Sequence, residues 1–77
     1  MITSDQIRAA RALLDWTRSD LAEKSGIGAS ALMRIEAAVG VPGGNLKTMQ
    51  AVISAFEKAG IEFIGTPESG AGVRWKI

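Results

Sequence analysis

The sequence predicts a mainly α fold: four short helices closed by a C-terminal β-hairpin. Three observations predict it. Apolar residues recur at helical spacing as far as Phe56, capping residues and glycines stand where helices would start and stop, and beyond Gly60 the apolar period changes to two. Residues 1–60 form the helical unit and 61–77 a hairpin extension of the same domain. The chain has no internal repeat and no linker long enough to separate two domains.

Helix 1 is expected to start near Ser4 and run to about Trp16. Thr3 and Gln6 have the spacing of a capping box, with Ile2 and Ile7 placed to close over it as a hydrophobic staple. Ile7, Ala10, Leu13 and Leu14 give one apolar stripe, with Arg8, Arg11 and Asp15 on or beside the polar face. Thr17 and Asp20 repeat the device for helix 2, with Trp16 and Leu21 as the staple. That helix lasts about two turns, because Gly26 is the residue expected to turn left-handed just past its end.

Ile27 then drops into the core, and Gly28 caps a third helix over residues 29–37 that turns Leu32 and Ile35 inward. The stretch 39–44, VGVPGG, reads as a loop. Asn45 caps a fourth helix with the stripe Leu46, Met49, Val52, Ile53 and Phe56, ending with Lys58 in its last turn and Gly60 just beyond. In the hairpin, Ile61 and Phe63 flank Glu62. After GTPESGAG, Val73, Trp75 and Ile77 alternate with Arg74 and Lys76. A lone two-stranded ribbon is unstable in water, so its apolar side must lie on the helices or pair with another chain.

Composition bounds the function. Apolar residues are 47% and charged residues 22%, a balance that forms a core and argues against disorder. A chain of 77 residues buries only about 60% of the surface that its unfolded form exposes, which invites self-association. With no cysteine there is no disulfide framework, and a reducing cytoplasm is the expected location. The N-terminal stretch reaches Asp5 and Arg8 before any long apolar run, so neither a signal peptide nor a membrane span is expected there. The net charge of +1 neither announces nor excludes a polyanionic partner.

Two short helices joined by a tight glycine turn make a helix-turn-helix. Residues 18–37 resemble the helix-turn-helix of the Cro/cI-type, Xre-like transcriptional regulators in Leu21, small Ala22, Gly26, Ile27, Leu32 and Ile35. The likeness covers about residues 4–56, and a lambda-repressor-like four-helix domain is the fold it implies. In that family an arginine of helix 1 commonly pairs with a glutamate ending helix 3, and Arg11 and Glu36 occupy the matching places as a structural pair. A glutamine often starts helix 2 where this chain has Arg18, and members usually carry more long polar side chains on helix 3.

The resemblance implies a regulator of transcription, expected to be a repressor, that binds double-stranded DNA with helix 3 in the major groove and helix 2 across the backbone. Ala29, Ser30, Met33 and Arg34 are the base-reading candidates: a methyl or thioether against thymine methyl, a hydroxyl donor, and a guanidinium for guanine or the backbone. Thr17, Arg18, Ser19, Gly43, Gly44, Asn45 and Lys47 are the phosphate candidates, at two helix starts whose N–H groups favour anions without much net charge. Ser30 and Met33 also fit plain surface positions, and Arg8 a solvated helix charge. A homodimer is expected, with Ile61, Phe63, Val73, Trp75 and Ile77 as contact candidates and two recognition helices about 34 Å apart. Bound to DNA it would be nucleoid-associated.

Other readings carry less. Gly26 to Ala31 matches G-x-G-x-x-A, but it follows a helix rather than a strand. Without histidine or cysteine, and with scattered acids, no catalytic or metal constellation emerges, so no enzyme and no cofactor are expected. The open rival keeps the fold and changes the partner to a regulatory protein. The domain is then an adaptor, an antitoxin or a co-regulator, which the small and apolar Ala29 and Met33 would suit.

Overall fold

A computed structural model describes residues 1–76. Four helices are followed by an antiparallel hairpin: α1 Ser4–Leu14, α2 Arg18–Ser25, α3 Ala29–Ala37, α4 Leu46–Lys58, β1 Ile61–Thr66 and β2 Ser69–Trp75. This is the predicted fold class.

Both capping boxes form. Thr3 Oγ1 accepts from the Gln6 N–H at 3.1 Å while Gln6 Oε1 accepts from the Thr3 N–H at 2.7 Å, and Ile2 and Ile7 are buried beside them. Thr17 and Asp20 exchange the equivalent bonds at 3.0 and 2.8 Å. α1 stops at Leu14, two residues short of the expected Trp16. Asp15 adopts the left-handed conformation at φ 56°, and the Trp16 N–H turns back to the Arg11 carbonyl at 2.9 Å. A short polar side chain tolerates that conformation.

Ten residues form the core: Ile2, Ile7, Ala10, Leu21, Leu32, Ile35, Val52, Ala55, Phe56 and Ile61. Leu14, Trp16, Ala22, Ile27, Met49, Ile53, Phe63 and Val73 pack around them. Phe56 sits where α4 meets the α1–α2 connection and β1. Its ring stacks on Trp16 at a centroid separation of 5.6 Å and meets Phe63 edge-on at 5.9 Å. Such aromatic pairs contribute about 0.5–1.5 kcal/mol each beyond area burial.

Two expected stripe residues lie outside this core. Leu13 is 39% exposed because, at about 100° per residue, it stands a full step from Leu14 and at the edge of the Ile7–Ala10 face. Leu46 is 68% exposed because the first residue of α4 reaches past the core. It lines an apolar groove of about 400 Å³ with Met1, Val41, Pro42 and Met49.

The hairpin strands are longer than expected, taking in much of the GTPESGAG stretch and leaving a turn around Pro67 and Glu68. Ile61 pairs with Trp75 and Phe63 with Val73, which puts these four side chains on one face. Glu62 and Arg74 pair on the other, with Arg74 Nε donating to Glu62 Oε1 at 2.6 Å. The strands close so tightly at Gly65 (φ 77°) that a Cβ there would collide with the Gly70 carbonyl oxygen.

Candidate nucleic-acid interface

The geometry begins at the turn between α2 and α3. Gly26 ends α2 at φ 74°, its N–H donating to the Ala22 carbonyl at 2.9 Å. Ser25 tightens the turn, because its hydroxyl donates to the Leu21 carbonyl at 2.7 Å and accepts from the Ile27 N–H at 3.2 Å. Ile27 is half-buried against the core. Gly28 caps α3 in extended backbone, φ −63° and ψ 149°, with no side-chain cap. Only the first glycine is required by backbone conformation.

α3 turns Leu32, Ile35 and Glu36 inward. Ala29, Ser30, Met33 and Arg34 are all exposed, Met33 to 56%. The outer face of α3 is therefore free of the monomer's own packing. Arg34 lines a cleft of about 330 Å³ with Ile35, Ala38, Pro42, Gly43 and Gly44. This brings a base-reading candidate and two phosphate candidates into one recess, although they stand at opposite ends of the loop between α3 and α4.

Of the remaining phosphate candidates, Thr17, Ser19, Asn45 and Lys47 are exposed. Of the first-turn N–H groups that helix geometry leaves over, that of Lys47 donates to Asn45 Oδ1 at 2.7 Å and that of Asp20 to Thr17 Oγ1. The Thr17 backbone N–H, then its hydroxyl, holds the Asp20 carboxyl below its ordinary pKa. The start of α2 thus carries a fixed negative charge.

Arg18 is placed differently from its neighbours. It is half-buried, with Nη2 3.6 Å from Glu36 Oε1. Glu36 is 2% exposed and receives a two-pronged contact from Arg11, Nε to Oε2 at 2.9 Å and Nη2 to Oε1 at 2.7 Å. The third guanidinium nitrogen of Arg11 donates to the Trp16 carbonyl at 3.0 Å, so one side chain ties α1, the α1–α2 turn and the end of α3 together. Arg8, exposed as expected, donates to Asp5 and to the Glu36 carbonyl. Ser4, missed in the sequence, is buried and donates from its hydroxyl to the Ile35 carbonyl at 2.8 Å. Its N–H donates to the Gly40 carbonyl at 2.9 Å. A serine directly after a capping threonine gives no sign of such a partner.

The dimer candidates separate. Ile61 is 1% exposed and belongs to the monomer's own core, so it has no surface to offer a second chain. Phe63 and Val73 pack against the same core, Trp75 is 49% exposed, and Ile77 lies outside the described residues. The reason is that the ribbon lays its apolar side on the helices.

Among the described residues no helix is long and apolar enough to cross a membrane. No group of three or more acidic, histidine or cysteine residues there could hold a metal ion. A search of curated proteins gives no significant match. A family model described as helix-turn-helix matches residues 7–58, from within α1 to the last residue of α4 and short of the hairpin. That family comprises DNA-binding regulators rather than enzymes. With two-thirds of its length matched and the glycine turn in place, the chain belongs to the Cro/cI-type, Xre-like helix-turn-helix family.

Proposed function

We propose that the protein is a sequence-specific transcription regulator, acting as a repressor, that binds double-stranded DNA as a homodimer in the cytoplasm. α3 enters the major groove, Ala29, Ser30, Met33 and Arg34 face base edges, and the starts of α2 and α4 face phosphates. The observation that carries this reading is the solvent-facing side of α3. All four outward residues are exposed while Leu32 and Ile35 anchor the opposite side. A helix presented this way fits a groove about 12 Å wide.

The repressor role is part of this proposal, since a small domain seated on an operator would block access to it. Dimerisation draws on Trp75, a large apolar residue of the hairpin that is half exposed. Sedimentation of Trp75→Arg tests that joint without disturbing Ile61. An unchanged dimer excludes Trp75 as the contact.

Selection from a random duplex pool tests the function. An enriched near-palindrome with half-sites about one helical turn apart is the expected result. Failure to enrich any sequence overturns it in favour of a regulatory-protein partner, the adaptor, antitoxin or co-regulator reading. The 56% exposure of Met33 supports that second reading, because an unbranched thioether suits an adaptable protein contact.

A further inference from the structure

We propose that Arg18 changes partner when duplex DNA binds, leaving the Glu36 carboxylate for a backbone phosphate, with Glu36 as the residue that holds it in readiness. The inference rests on the DNA-binding reading and adds to it a stored position for one phosphate ligand.

Four observations support the exchange. The 3.6 Å separation between Arg18 Nη2 and Glu36 Oε1 is longer than a hydrogen bond, and that oxygen already accepts from Arg11 at 2.7 Å. Arg18 Nε is buried and has no hydrogen-bond partner among the described residues. Arg18 is also the first residue of α2, the end at which the helix dipole disfavours a cation. Finally, Arg11 and Arg18 share the single carboxylate of Glu36, while Arg8 pairs with Asp5.

Each of these leaves Arg18 poorly satisfied in the free protein, and one anion would answer all four. A guanidinium offers five donors in a fixed fork that matches phosphate geometry. Thr17 and Ser19, both exposed, flank it. Arg11 stays with Glu36, because its three hydrogen bonds already use the carboxylate and the Trp16 carbonyl.

The test compares the free and bound states of one substitution. Thermal unfolding of the full chain is measured for the wild type and Arg18→Ala, and binding to a mixed-sequence duplex of about three helical turns is followed against salt. The expected result is an unfolding midpoint that is unchanged or raised, with a logarithmic salt slope reduced by about one. Arg18→Lys, which keeps the charge and loses the fork, retains the slope. A lowered midpoint in Arg18→Ala, or an unchanged slope, overturns the proposal by making Arg18 a structural member of the Glu36 pair. Lys47→Ala runs in parallel. If the wild type shows no salt-dependent duplex binding, the DNA reading itself fails. If Lys47→Ala loses slope and Arg18→Ala does not, only the partner exchange fails.

Discussion

The side-chain amide of Gln6 donates to the Gly72 carbonyl at 2.9 Å, across sixty-six positions of the chain. The same nitrogen donates to the Ile64 carbonyl at 3.1 Å, while the amide oxygen caps α1 through Thr3. One residue thus starts the first helix and clamps both strands of the hairpin to it. Gln6→Ala leaves two carbonyls and one N–H without these partners, and losses of this kind cost about 1–3 kcal/mol. Urea unfolding should show that loss, and amide exchange should be fastest in the hairpin.

Removing Arg11 alone strands a buried carboxylate. Arg11→Met is expected to destabilise by about 3–5 kcal/mol, toward the lower figure because Arg18 stands 3.6 Å from the same oxygen. The double substitution Arg11→Met with Glu36→Leu should recover most of that loss, since a buried ion pair adds little over apolar replacements. Denaturant titration of the single and double variants checks both statements.

The two glycines of the helix-turn-helix should respond oppositely to side chains. Gly26→Ala forces a Cβ into the left-handed conformation at φ 74°, a strain of about 1–2 kcal/mol. For a domain this size that lowers the melting temperature by about 4–8 °C per kcal/mol. Gly28→Ser meets nothing within 4 Å, sits in ordinary extended backbone and adds a capping hydroxyl. It should match the wild type or exceed it by a few tenths of a kcal/mol.

Stability should fall on the acid side. Hydrogen bonds from Thr17 lower the pKa of Asp20, and the Arg74 guanidinium lowers that of Glu62 by hydrogen bond and charge. A carboxyl whose pKa is lower in the folded chain than in the unfolded one stabilises the fold above its unfolded value. That contribution is lost as pH falls through the folded value. The unfolding midpoint is therefore expected to decline below about pH 4. Combining Asp20→Asn with Glu62→Gln should flatten that decline, and a slope as steep as in the wild type would show that other groups govern it.

On DNA, Lys47→Ala should weaken binding to all sequences alike and reduce the salt slope by about one. Arg34→Ala should instead change preference at a single base pair, at a cost of about 1–3 kcal/mol for the favoured base. Repeating the duplex selection with each variant separates the two roles.

By itself the sequence determined the elements. Thr3, Thr17 and Asn45 cap their helices by bonds spanning two or three residues, Gly26 stops α2 by its own backbone freedom, and the change of period after Gly60 marks the ribbon. All of these depend on near neighbours, which a linear reading contains. The exposure of Ala29, Ser30, Met33 and Arg34 followed from the same periodicity once Leu32 and Ile35 were set inward. Only the tertiary structure decided that Ile61 closes the core, that Gln6 holds the hairpin, that Arg34 shares a cleft with Gly43 and Gly44, and that Arg18 leans on Glu36. Those contacts join elements whose relative placement comes from packing around Phe56 and Leu21, and no spacing along the chain encodes a distance that packing sets.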